Sequence, residues 1–175
     1  FQKLLARADL LRRVADVPGN IVDAGTFKGV STIQMAHFLQ IYQPHGKAKV
    51  VSFDTFEAKF PRARKDEAAS AERHGKLFEE TAYMQISEAV ERLGLTSRVE
   101  LIKGDITETL PTYLAERPGF RISLLHCDLD VYAATKSLLE TAWPRVVMGG
   151  VVVFDQYAVD AWGESDAADE FLAGL

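Results

Sequence analysis

Apolar positions along the chain follow two periods. Largely apolar runs at Ile21–Ala24, Lys49–Phe53, Val99–Lys103, Ile122–Cys127 and Gly150–Phe154 have the length of buried strands, and most are rich in β-branched residues. Between them, apolar residues recur at helical spacing. Phe1–Ala15 offers Leu4, Leu5, Leu11 and Val14 to one face. Ser31–Tyr42 offers Met35, Phe38, Leu39 and Tyr42, and a later stretch offers Tyr83, Ile86, Val90 and Leu93. Val131–Ala142 turns Leu138 and Leu139 inward and stops at Trp143-Pro144. Strands alternating with helices predict right-handed crossovers and a mainly parallel sheet with helices on both faces. The expected strand order is 3-2-1-4-5, an α/β, Rossmann-like arrangement.

The connection between the second and third strands departs from both periods. Its first half, Lys59–Lys76, is rich in Arg, Lys, Glu and Ala, and Arg62–Glu72 reads as a solvated face. Residues 58–78 are expected to form a lid, and the whole chain is read as one domain with a helix at 1–16. No internal repeat or low-complexity tract interrupts it.

Parallel sheets of this type bind ligands outside the carboxyl ends of their strands. The first such end, Asp23-Ala24-Gly25-Thr26-Phe27-Lys28-Gly29-Val30-Ser31, joins a strand to a helix N-terminus through two glycines. It lacks the third glycine of G-x-G-x-x-G and the lysine of the phosphate-gripping G-x-x-x-x-G-K-[ST] loop. An acid-x-Gly-x-x-x-Gly turn suits a cationic, amino-acid-bearing adenosine compound, S-adenosylmethionine. The second strand ends at Asp54-Thr55-Phe56-Glu57, and Asp54 lies 25 residues after Gly29, near the offset of about 20 residues at which an acid meets a ribose in dinucleotide folds. The third ends at Gly104-Asp105-Ile106, suited to an adenine ring, although Asp105 is equally suited to cap the segment before Pro111. The fourth gives Asp128 and Asp130, and the fifth Asp155 and Gln156. Acids converging there repel one another unless a cation intervenes, and oxygen donors favour a hard ion such as magnesium. His126 reads as a core histidine and Cys127 as a small buried hydrophobe.

Composition narrows the field. The chain has 175 residues, 47% of them hydrophobic, with a formal net charge of −5. That balance fits a globular protein and disfavours general nucleic-acid or membrane-surface binding. No apolar run reaches the ~18 residues of a membrane span, and no signal peptide is evident. The single cysteine, Cys127, excludes an internal disulfide and suits a cytoplasmic setting.

With these motifs in place the chain resembles the macrocin O-methyltransferase-like (TylF-type) family of S-adenosylmethionine-dependent methyltransferases, from about Val17 to Phe171. The most specific matches are Asp54-Thr55-Phe56-Glu57 with Phe60-Pro61, Asp128-x-Asp130-x-Tyr132 followed by Thr135, and Pro144-Arg145 leading to Gly149-Gly150, Asp155 and Tyr157. The resemblance implies a class I methyltransferase fold and O-methylation of a small-molecule hydroxyl, on a sugar or natural-product scaffold. It implies that Asp23, Gly25, Thr26, Phe27, Gly29 and Ser31 hold the methionyl end of the cofactor. Asp54, Thr55 and Phe56 would hold its ribose, and Gly104, Asp105 and Ile106 its adenine. Asp128 would serve cofactor and magnesium, Asp155 and Gln156 the magnesium, and Asp130 would be the general base.

Three departures from the family pattern stand out. Gln156 replaces a second acid and can ligate only without charge. Ala58-Lys59 replaces a glycine and adds one residue. The usual final strands are absent, so a fragment or pairing with another chain is expected, and the amphipathic first helix is a candidate for making a homo-oligomer. Two other readings stay open: a cofactor-binding domain without turnover, acting as a partner module, and a metal-dependent hydroxylase-like relative.

Overall fold

The computed structural model describes residues 1–57, 60, 62–77 and 82–175. Among these, five parallel strands form one sheet in the order β3-β2-β1-β4-β5, as the alternating pattern predicted. They are β1 (Asn20–Ala24), β2 (Val50–Asp54), β3 (Val99–Lys103), β4 (Ile122–Cys127) and β5 (Val146–Phe154). The helices are α1 (Gln2–Arg13), α2 (Val30–Tyr42), α3 (Ala68–Gly75), α4 (Ala82–Arg92), α5 (Ile106–Glu116), α6 (Tyr132–Ala142) and α7 (Glu164–Ala173).

Two cores explain the layering. On one face Val22, Val51, Phe53 and Leu125 pack with Leu110, Leu114, Leu138 and Leu139 from α5 and α6. On the other, Ile21, Val50 and Leu124 pack with Leu11 of α1, Met35 and Leu39 of α2, and Ile86 and Val90 of α4. Successive residues of each strand feed opposite cores, which is why the strands read as continuous apolar runs. The expected stripe on α1 is partly corrected: Leu11 and Val14 are buried, but Leu5 is exposed.

Register brings the strand ends level. Ala24 sits beside Phe53 and Cys127, Cys127 beside Phe154, and Asp54 beside Lys103. All five carboxyl ends therefore share one rim.

Three boundaries differ from the sequence reading. β5 starts at Val146 rather than Gly150, because Gly149 (φ +82°) accommodates a register shift between Ile122 and Leu124 in the pairing with β4. The helix capped by Asp105 continues through Pro111, held by buried Ile106, Leu110, Tyr113 and Leu114; packing outweighs the local preference. The charged run contains α3, and Glu67 and Ser70 in it are buried rather than solvated. Of the expected lid, Ala58, Lys59, Pro61 and Phe78 lie outside the described residues. No helix among the described residues is long and apolar enough to cross a membrane.

Candidate active site

A cavity of about 320 Å³ opens at the rim. Gly25, Phe27, Asp54, Thr55, Gly104, Asp105, Ile106, Asp128, Asp130, Asp155 and Gln156 line it, drawn from all five strand ends. Phe60, Arg62, His74 and Leu77 close it from the segment that includes α3, and Lys3 reaches it from α1.

The other proposed cofactor residues lie behind this wall. Asp23 is fully buried; it accepts from Ser31 Oγ at 2.9 Å and Thr32 Oγ1 at 2.6 Å, and its Oδ1 meets His126 Nδ1 at 2.8 Å. Its carboxylate therefore braces β1, α2 and β4. Gly29 begins α2 against the side chain of Ile86, and Phe56 is packed edge-on against Tyr83. Thr26 is buried, and its hydroxyl has no partner among the described residues.

Backbone conformation marks the same rim. Among the described residues four non-glycines have positive φ, and three lie two or three residues past a strand end: Phe27 (48°), Phe56 (52°) and Asp130 (65°). Such positions are costly and gather where geometry serves a site. Gly25 (φ +94°) lies so close to the next loop that a Cβ would stand 1.9 Å from the Asp128 carbonyl oxygen. Glycine alone permits β1 and β4 to leave the sheet side by side there.

On the β2–β3 side the acids are well supplied with donors. Asp54 accepts from the Phe27 N–H at 2.8 Å and the Phe56 N–H at 2.6 Å. Burial still pushes its carboxyl up, against the lowering effect of those backbone bonds. A carboxylate offers about four lone-pair sites, so capacity remains toward the cavity. Asp105 caps α5, taking the N–H and hydroxyl of Thr107 at 2.9 and 2.7 Å, and accepts from Arg62 Nε at 2.8 Å. Burial would raise it, but the bonds from Thr107 and Arg62 outweigh that and hold it low.

The β4–β5 side is under-supplied. Burial, then the charge of Asp155, push Asp128 up to about 6. Burial, then Asp128, Glu164 and Asp155, push Asp130 up to about 8. Asp130 Oδ1 is buried with no partner among the described residues. His126, Asp128 and Asp155 each offer one ligand atom, all within 4.8 Å of one another. For His126, burial works downward, but the bond and charge of Asp23 outweigh it and raise the imidazole. The bond to Asp23 uses Nδ1, and Nε2 lies 3.9 Å from Asp155 Oδ1. His126 is thus a core residue on one edge and a cluster member on the other.

Residues that the sequence reading passed over complete the site. Lys3 donates to Asp155 Oδ2, and Arg7 lies 3.9 Å from its other oxygen. Buried Glu67 accepts from the N–H groups of Arg64 (2.6 Å), Tyr132 (2.8 Å) and Gly163 (3.0 Å), tying the α3 segment to the start of α6. Buried Glu164 accepts from the Gln156 N–H at 2.7 Å and is pushed up to about 7, chiefly by burial. Lys3 and Arg7 had a readable signal: with Leu11 they sit four residues apart, on the helix stripe that packs inward. Glu67 had none, because its partners are backbone groups far along the chain.

Comparisons with known proteins bear on the family and the fold. The chain is 32% identical over 151 residues to 8-demethyl-8-(2,3-dimethoxy-alpha-L-rhamnosyl)-tetracenomycin-C 4'-O-methyltransferase of Streptomyces olivaceus, covering 83% of this chain and 55% of that protein. It is 28% identical over 172 residues to demethyldecarbamoylnovobiocin O-methyltransferase of Streptomyces niveus, covering 90% of this chain and 63% of that one. The chain thus spans roughly three-fifths of the length of these curated relatives. The crystal structure of CalS11, a calicheamicin methyltransferase, matches 97% of this chain and 70% of its own with a TM-score of 0.88 at 31% identity. The O-methyltransferase NovP shares the fold, with a TM-score of 0.84 at 23% identity over 98% of this chain and 71% of its own. The family model for macrocin-O-methyltransferase (TylF) matches residues 4–172, and the chain belongs to that family.

Proposed function

We propose that this chain forms the cofactor- and metal-binding core of an S-adenosylmethionine-dependent O-methyltransferase that acts on a hydroxyl of a sugar or natural-product scaffold. The observation that carries the reading is the gathering of Asp54, Asp105, Asp128, Asp130 and Asp155 around a single cavity. Family membership and the names of the relatives, both O-methyltransferases of antibiotic-type molecules, support the reaction and the acceptor class.

The residues fit both groups. Asp54 keeps acceptor capacity for a ribose hydroxyl beside the β1–α2 turn, and the unpartnered Thr26 hydroxyl lies in that turn. The cofactor would supply a methyl group already activated by a positive sulfur. Asp128 and Asp155, with His126 Nε2 alongside and Gln156 in the same cavity wall, form a donor set that could hold a divalent cation. A divalent ion would supply charge against these carboxylates and acidify a bound hydroxyl.

The chain's own residues do the remaining work. Asp23 fixes the His126 ring, as a carboxylate behind a ligating histidine commonly does. Asp130, held up at about 8 by burial and its acidic neighbours, would be lowered by a cation bound beside Asp128 and, with one oxygen unpartnered, would then take the proton from the acceptor hydroxyl. Phe60, His74 and Leu77 shield the cavity from water, and the α3 segment acts as a lid. Bringing donor and acceptor into line contributes up to ~7–11 kcal/mol, and a positioned base roughly 10²–10⁴-fold.

A methyl-transfer assay with and without magnesium tests this. Asp130→Asn is expected to lower kcat by about 10²–10⁴-fold while leaving cofactor affinity nearly intact. Equal loss of both would remove the role of Asp130 as base.

A further inference from the structure

Asp155 is contested by charges of two kinds. One oxygen accepts from the Lys3 ammonium, while the other faces Arg7 and His126, each at 3.9 Å. The two α1 cations are held differently. The Arg7 side chain is 9% exposed and donates to Gln34 Oε1 at 3.0 Å, so it is pinned between α1 and α2. The Lys3 side chain is 63% exposed, and only its tip enters the cavity wall.

We propose that Lys3 is a displaceable counter-ion: its ammonium on Asp155 Oδ2 competes with a divalent ion for the charge of that carboxylate and gives way when the ion binds, so α1 reports and tunes the metal state of the site. This rests on the metal reading above. A divalent ion on the His126–Asp128–Asp155 cluster needs an Asp155 oxygen, and Lys3 already engages one. An ammonium and a dication on the same carboxylate repel each other. The Asp155 side chain is largely buried but that of Lys3 is not, so the ammonium regains its hydration on leaving and yields once a dication takes over the carboxylate. Arg7 cannot swing away and stays as a fixed positive neighbour that keeps affinity moderate. Gln156 bears on the same balance, since an uncharged residue there leaves fewer negative charges to outcompete the lysine.

The test is titration of the full chain with Mn²⁺, reading free ion by electron paramagnetic resonance, together with thermal unfolding in chelator and in Mn²⁺. Lys3→Met keeps the stem and removes the charge; it is expected to tighten Mn²⁺ about 5-fold, lower Tm in chelator and enlarge the Mn²⁺-induced rise in Tm. Lys3→Glu is expected to tighten it further, and Lys3→Arg to leave affinity near that of the parent. In an Asp155→Asn background, Lys3→Met is expected to change nothing. Equal or weaker Mn²⁺ binding by Lys3→Met and Lys3→Glu, with the parent still binding, overturns the role of Lys3 and leaves the metal site standing. No Mn²⁺ binding by the parent or by either variant overturns both.

Discussion

The two halves of the rim use the same residue type to opposite ends. Asp54 and Asp105, after β2 and β3, spend their oxygens on backbone N–H groups, a helix cap and Arg62. Asp128 and Asp130, after β4, are pushed up to about 6 and about 8, and Asp130 keeps a buried oxygen without a partner among the described residues. One half is largely supplied with donors by its own chain, although burial still raises Asp54. The other crowds buried carboxyls together with fewer donors, and perturbed groups of that kind gather at functional sites.

The sharpest way to break the contrast is to pry the halves apart where they meet. Gly25→Ala would place a methyl group 1.9 Å from the Asp128 carbonyl oxygen at φ +94°. We expect a loss of stability above about 3 kcal/mol and loss of cofactor binding, read by denaturant unfolding and calorimetry. A wild-type midpoint would mean the two loops are not locked together.

Next in size are opposite-signed effects of removing one charge from each half. Asp105→Ala deletes a helix cap and is expected to cost about 1 kcal/mol. At pH 9, above its raised value of about 8, Asp130→Asn removes an unsatisfied charge at a backbone conformation that Asn tolerates well, and is expected to raise Tm of the metal-free chain by about 2–4 °C. Thermal unfolding in chelator checks the pair; a fall in both would make the halves alike.

A further contrast concerns pH. Glu164, 4.5 in ordinary surroundings, is raised to about 7 by burial. Between those values the folded chain holds a proton that the unfolded chain has released, so stability falls as pH rises through that window. Glu164→Gln is expected to flatten the decline between pH 4.5 and 7 in a series of melts. An unchanged slope would place the burden elsewhere.

Much of the fold was legible because strands buried on both faces leave an unmistakable apolar signature, and the order of strand-end acids followed from it. The cavity-lining acids were legible for the same reason. The division of labour among them was not. Asp23 and Asp54 each stand near the end of neighbouring strands in the sequence, yet one braces the interior and the other faces the cavity. What separates them is register, since Asp23 pairs with Ser52, two residues short of Asp54, and the partners Ser31, Thr32 and His126, which only the folded chain brings together. Glu67 read as part of a solvated face because its partners Tyr132 and Gly163 lie 65 and 96 residues away. A charged run offers no clue when the group it satisfies is a distant backbone N–H or a distant carboxylate.

Calorimetric titration of S-adenosylmethionine into the chain, Asp54→Ala and Asp130→Asn tests the central claim most directly. Saturable uptake by the parent, at least about 10-fold weaker binding by Asp54→Ala (~1.4 kcal/mol) and near-parental binding by Asp130→Asn are predicted. No uptake by the parent, or equal loss in both variants, would contradict it.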